Sequence, residues 1–218
     1  MNRSAYLLEL SNHLRNFEVS EEPINIVFHG HSIPCGYTVN RVVRSGDSYP
    51  QLVKDGLNIR YPNAVLNTIV TGIGGEAAVS GVNRMDTVLR HRPELVVIDY
   101  GRNDVFVPMV STKEAWKRMV EVLLEAGVKV LLVTPAVDSG QLYYDPLKRT
   151  ISDEEEAEMI RNIADEYKVG CADVYAAFEK MLNCGYQKSD FMAGVNHPNR
   201  SGHEVIAREI LRWFPNAV

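Results

Sequence analysis

The sequence predicts an α/β fold, a three-layer α/β/α sandwich around a central parallel sheet of about five strands. Two observations carry this prediction. Apolar runs of strand length, nearly continuous in Val, Ile and Leu, recur along the chain and alternate with stretches of helical periodicity. The connections between them are short, which forces right-handed βαβ crossovers and lays the strands parallel, with helices on both faces.

The elements follow in order. An opening helix at about 5–16 belongs to an N-terminal helical extension over about 1–20. The first strand is expected at 24–28, where Ile24-Asn25-Ile26-Val27-Phe28 has high β-propensity. A helix at 49–59 leads to a second strand at 64–70, and a helical stretch at 76–91 leads to a third at 95–100. A helix at 113–126 precedes a strand at 128–134. A long irregular connection at 135–150, carrying Asp138, Tyr143, Tyr144 and Asp145, then leaves a strand's carboxyl end, where ligands bind in open α/β sheets. The helix at 153–167 opens on Asp153-Glu154-Glu155-Glu156, acidic residues suited to a first turn, with Ser152 as its cap. A weaker strand lies at 169–174, and Ser201 with Glu204 reads as the capping box of a last helix at 201–213.

The whole chain, 1–218, reads as one domain, with no linker, repeat or low-complexity segment. A hydrophobic fraction of 45% and a charged fraction of 23% are those of a soluble globular protein. A formal net charge of -5 without any basic run argues against a nucleic-acid partner. No apolar run could cross a bilayer, and the first twenty residues lack the pattern of a secretory signal, so a cytoplasmic protein without a membrane partner is expected. Cys35, Cys171 and Cys184 have no metal-like spacing and are expected as reduced, buried side chains.

Four short blocks carry the chemistry: His29-Gly30-His31-Ser32, Gly72-Ile73-Gly74-Gly75, Gly101-Arg102-Asn103-Asp104 and Asn196-His197-Pro198-Asn199. The first three each follow a predicted strand, so they meet at the carboxyl edge of one sheet. Acyl transfer needs a serine nucleophile, a histidine to take its proton and nitrogen donors for the oxyanion, and Ser32, His197, Gly75 and Asn103 can fill those roles. A competing reading takes Gly72, Gly74 and Ala77 as a dinucleotide fingerprint with Glu94 as the ribose acid. Those glycines follow the second strand rather than the first, and Glu94 precedes a strand instead of ending one. His29, His31, His197 and His203 lack the spacing of a metal site. Neither a cofactor nor a metal is therefore expected.

In this order the four blocks resemble those of the SGNH hydrolases, the GDSL-type esterase and lipase superfamily, from Ile24 to about Trp213. The resemblance implies a flavodoxin-like sandwich, Ser32 as nucleophile, His197 as base, and an oxyanion hole of the Ser32 N–H, Gly75 and Asn103. It implies a serine esterase that hydrolyses a small-molecule acyl ester, an acetyl ester of a carbohydrate among the options, through an acyl-serine intermediate. A thioesterase or acyltransferase using the same residues, or a non-catalytic α/β binding domain, are the alternatives. Two positions depart from the family. His31 stands where an aspartate usually precedes the serine, and Gly194 stands where an aspartate usually lies three residues before the histidine. The acid that orients His197 is then expected from Asp190, or from Asp138 on the long connection, or is replaced by backbone carbonyls. The acyl group, the alcohol and the oligomeric state are not legible.

Overall fold

A computed structural model describes residues 3–138 and 149–215. Within them the five strands β1 (Ile24–Gly30), β2 (Leu66–Val70), β3 (Leu95–Asp99), β4 (Lys129–Val133) and β5 (Gly170–Ala172) pair parallel throughout, in the order β2-β1-β3-β4-β5. Alternation of side chains along each strand splits the core in two. Ile24, Ile26, Phe28, Leu95, Val97, Leu131 and Val133 face the helices Leu8–Arg15, Tyr49–Arg60, Val174–Asn183 and Arg200–Leu211. Val27, Val96, Ile98, Val130 and Leu132 face the helices Met109–Glu125 and Asp153–Tyr167. Burial on both faces explains why β3 and β4 read as nearly continuous apolar runs. Among the described residues no helix is long and apolar enough to cross a membrane.

Several features differ from the sequence expectation. The stretch expected as one helix at 76–91 is broken into Ala78–Gly81, a 3-10 turn Val82–Arg84 and Met85–Leu89. The break falls where Gly81 packs on the Tyr100 ring so closely that a Cβ there would lie 2.2 Å from the phenol oxygen. The helix expected from 113 begins a turn earlier, at Met109 after Pro108. The helix Val174–Asn183, capped by Asp173, has no counterpart in the sequence expectation. The last helix starts at Arg200 and is capped by Asn199, whose side chain accepts the Gly202 N–H at 3.0 Å, so Ser201 is not its cap. Ser152 and Glu155 form the reciprocal capping box of Asp153–Tyr167. The opening segment forms two short helices, Arg3–Tyr6 and Leu8–Arg15. The three cysteines are free but not fully buried: Cys35 and Cys171 are half-buried, and Cys184, just past the end of Val174–Asn183, is exposed. Tyr143, Tyr144 and Asp145 lie outside the described residues.

The strand order reverses between β1 and β3, because the chain goes outward from β1 to β2 and returns across it to β3. The crevice at such a switch point, beyond the carboxyl ends of the two strands, is where open α/β sheets hold their ligands. Ser32 follows β1 and Asn103 follows β3.

Candidate active site

Immediately after β1, the chain makes a single helical turn, Ser32–Cys35, closed by Gly36. His31 caps this turn with its own ring, Nδ1 accepting the Ile33 N–H at 3.2 Å. That bond turns the imidazole into the protein, fully buried, with Nε2 at 3.4 Å from Asp99 Oδ1 at the end of β3, without the alignment of a hydrogen bond. Asp99 is nearly as buried, and its second oxygen accepts the Tyr49 hydroxyl at 3.0 Å. The residue that departs from the family beside the serine thus has a carboxylate facing it from the next strand.

His197 reaches Ser32 from the loop before Arg200–Leu211. Its Nε2 and Ser32 Oγ are 2.8 Å apart, within hydrogen-bond range for a hydroxyl and an imidazole nitrogen. The ring stacks on Tyr37 at 6.2 Å between centroids and an interplanar angle of 28°. Burial, and secondarily the neighbouring His31, pull the His197 pKa down to about 4. The imidazole is therefore neutral and able to accept a proton across the ordinary pH range.

The glycine block follows β2 as a tight turn, with the Glu76 N–H donating to Ile73 O at 3.1 Å. Its last residue, Gly75, has φ +81°, a left-handed conformation that a side chain resists, and a Cβ there would meet open space. The requirement at Gly75 is conformational rather than steric. Asn103 sits in the short helix Gly101–Asp104 after β3, and its amide donates to the Glu76 carbonyl at 2.8 Å, tying the two loops together. The next residue, Asp104, is fully buried and accepts the Ala78 N–H and the Trp116 indole N–H, each at 2.7 Å.

The two aspartates expected as orienters of His197 are engaged elsewhere. Asp190 closes the 3-10 turn Lys188–Asp190, where its Oδ2 accepts the Gln187 N–H at 2.8 Å, and no contact with His197 is found among the described residues. Asp138 lies 3.2 Å from the Arg102 guanidinium. At Gly194 the backbone packs against Val39, so a Cβ would fall 2.7 Å from Val39 Cγ1. His29 and His203 are structural: each is buried, with its pKa pulled to about 4 by burial. His29 is bonded to Thr71, Gly81 and Tyr100, and His203 accepts the Tyr49 N–H. Sequence reasoning misses Tyr37 and the partnership of His31 with Asp99. The signal for the latter is a carboxylate ending an otherwise apolar strand.

Residues 28–205 match the GDSL-like Lipase/Acylhydrolase family, and the chain belongs to it. It is an ester hydrolase with the fold of that family. Among solved structures, a catalytic mutant of Axe2, an acetylxylan esterase from Geobacillus stearothermophilus, superposes with a TM-score of 0.75 at 23% identity, covering 89% of this chain and 95% of that one. A protein of Parabacteroides merdae assigned as a GDSL-like lipase gives 0.76 at 16% identity, covering 89% and 96%. LAE5, an α/β hydrolase from the metagenome of Lake Arreo, gives 0.69 at 22% identity, covering 88% and 94%. No curated protein matches the chain.

Proposed function

We propose that this ester hydrolase cleaves a small acyl ester, an acetyl ester of a carbohydrate, through an acyl-serine intermediate on Ser32. The observation that carries the reading is the 2.8 Å approach of Ser32 Oγ to His197 Nε2. His197 takes the hydroxyl proton as Oγ attacks the ester carbon. The resulting oxyanion is received by the N–H groups of Ser32 and Gly75 and by the Asn103 amide. Collapse expels the alcohol, which leaves with the proton held on His197. A water molecule then attacks the acyl-enzyme, with His197 again as base, releasing the acid and restoring Ser32. Every step is served by the chain's own residues.

His197 acts in this reading as one half of a dyad. Asp190 and Asp138 have other partners, and the stacked Tyr37 ring restrains the imidazole where a carboxylate would otherwise orient it. The acetyl-carbohydrate substrate is supported by the likeness to Axe2, an acetylxylan esterase.

Hydrolysis of p-nitrophenyl acetate, butyrate and octanoate and of an acetylated xylo-oligosaccharide, by the wild type and Ser32→Ala, tests the assignment. Acetyl esters should turn over fastest and Ser32→Ala should abolish turnover. Activity retained without the serine rules out the covalent route, and a preference for octanoate rules out the acetyl-ester reading. Asp190→Asn and Asp138→Asn should each keep kcat within a few-fold, whereas a loss approaching the roughly 10⁴-fold of a triad aspartate would replace the dyad with a triad.

A further inference from the structure

Behind the oxyanion loops lies a polar cluster that the chemistry above does not use. Arg84 lies beneath the glycine turn and closes it from both ends. Its Nη1 donates to Thr71 O, before the turn, at 2.9 Å. Its Nε and Nη2 grip both oxygens of the Glu76 carboxylate, after the turn. The Tyr100 hydroxyl donates to the same carboxylate at 2.9 Å. Tyr100 is the residue from which the Asn103 turn starts, its carbonyl accepting the Asn103 N–H at 3.1 Å. His29 Nε2 lies 3.1 Å from both the Tyr100 hydroxyl and Gly81 O, and an acceptor at Gly81 requires the Nε2–H tautomer, leaving Nδ1 to accept from Thr71. The Glu76 side chain is only 8% exposed.

Glu76 therefore joins the two loops twice. Its carbonyl holds the Asn103 amide, and its carboxylate holds the residue at the foot of the Asn103 turn. Gly75 lies between the two clamped ends, and its left-handed φ leaves it no side chain with which to anchor itself.

We propose that Glu76, gripped by Arg84 and Tyr100, is a positioning residue that holds the Gly75 N–H and the Asn103 amide in the geometry of the oxyanion hole. The proposal rests on the acyl-serine reading of the site. A carboxylate bound by a forked guanidinium gives directional, charge-assisted bonds, so an amide at this position keeps the volume but loses the grip. Catalysis of this kind depends on donors preset to the developing oxyanion, and a misplacement of about 1 Å costs on the order of 10²-fold in rate.

The test compares wild type, Glu76→Gln, Arg84→Lys and Tyr100→Phe, each normalised to active sites titrated with a fluorophosphonate. Glu76→Gln should lower kcat by about 10–100-fold with KM nearly unchanged. It should weaken inhibition by ethylboronic acid, whose tetrahedral serine adduct needs the oxyanion donors, by a similar factor. Damage confined to overall stability would lower the titrated fraction and leave kcat per active site and the boronate Ki where they were, and that result overturns the proposal. If Glu76→Gln does not fold, Arg84→Lys and Tyr100→Phe keep the carboxylate and remove only part of its grip. Each should then lower kcat and boronate affinity together by a few-fold, and unchanged values in both would equally overturn it. A wild type that neither turns over esters nor takes up the fluorophosphonate would overturn the acyl-serine reading itself, and this one with it. A wild type that does both, beside an unaffected Glu76→Gln, would overturn only the role of Glu76.

Discussion

Restoring the aspartate that the family usually places before the nucleophile should damage this protein. In His31→Asp a carboxylate replaces a fully buried imidazole whose Nε2 stands 3.4 Å from Asp99 Oδ1. Asp99 also accepts the Tyr49 hydroxyl and has almost no access to water. The substitution thus removes the group facing a buried carboxylate and adds a second carboxylate against it. Breaking one partner out of a buried pair costs about 3–5 kcal/mol. For a chain of this size each kcal/mol is worth about 2–4 °C in Tm, so the melting temperature at pH 8 should fall by roughly 6–20 °C. Adding Asp99→Asn should recover much of the loss, because the carboxylate introduced beside Ser32 then faces an amide. Thermal or urea unfolding of the wild type, both single variants and the double variant gives the coupling energy directly. A His31→Asp protein as stable as wild type at pH 8, or a double variant no more stable than the single one, would refute the pairing of His31 with Asp99.

Three further outcomes are expected. Because burial holds the His197 pKa near 4, kcat/KM should stay flat from pH 8 down to about 5.5 and fall only as the imidazole gains its proton; an acid limb at the ordinary histidine value of about 6.5 contradicts this. Asn103→Ala should lower kcat by about 10²–10³-fold with the circular dichroism spectrum unchanged, and an undiminished kcat would reduce Asn103 to a loop tie. Glu156 is fully buried beside Asp104, with no aligned hydrogen bond to either oxygen, and burial pushes its pKa up to about 9. The folded state keeps this proton while the unfolded chain releases it above about pH 4.3, so stability drains away as pH rises between those values. Glu156→Gln should therefore raise Tm by a few degrees at pH 8 and by little near pH 4; an equal shift at both values would show that the gain is not from the proton.

How much of this is legible in the sequence follows from how far each interaction reaches along the chain. The strands are readable because a parallel sheet covered on both faces favours apolar residues along its length, and residues 95–98 and 130–133 supply them. The helix Val174–Asn183 is masked because Val174 prolongs the apolar run of β5. Its signal is present in the Asp173 cap and in the buried Val174 and Phe178 one turn apart. At the end of the chain two good capping residues compete, and the one that wins, Asn199, is decided by the backbone turn after Pro198 rather than by residue type. The blocks of Ser32, Gly75 and Asn103 can be placed at one edge because each follows a strand, whereas His197 lies in a loop, and its 2.8 Å contact with Ser32 spans 165 positions, so that only the folded chain brings it about.

The unreadable part of the site is the part that depends on pairs. Nothing local in Glu76 distinguishes it from a solvated first-turn acid, because its meaning comes from Tyr100, 24 positions away, and from Arg84 across a broken helix. His31 looks like the loss of a family acid, and it becomes intelligible only once β3 is laid beside β1, with Gly30 paired to Asp99 in register. The acid of the buried pair stands on β3 and the histidine caps the Ser32 turn. Gly194 differs, since Val39 occupies the space its missing side chain would need. The two departures thus have opposite physical characters. At His31 the site faces a carboxylate on the neighbouring strand, whereas Gly194 offers no side chain and the His197 ring stacks on Tyr37.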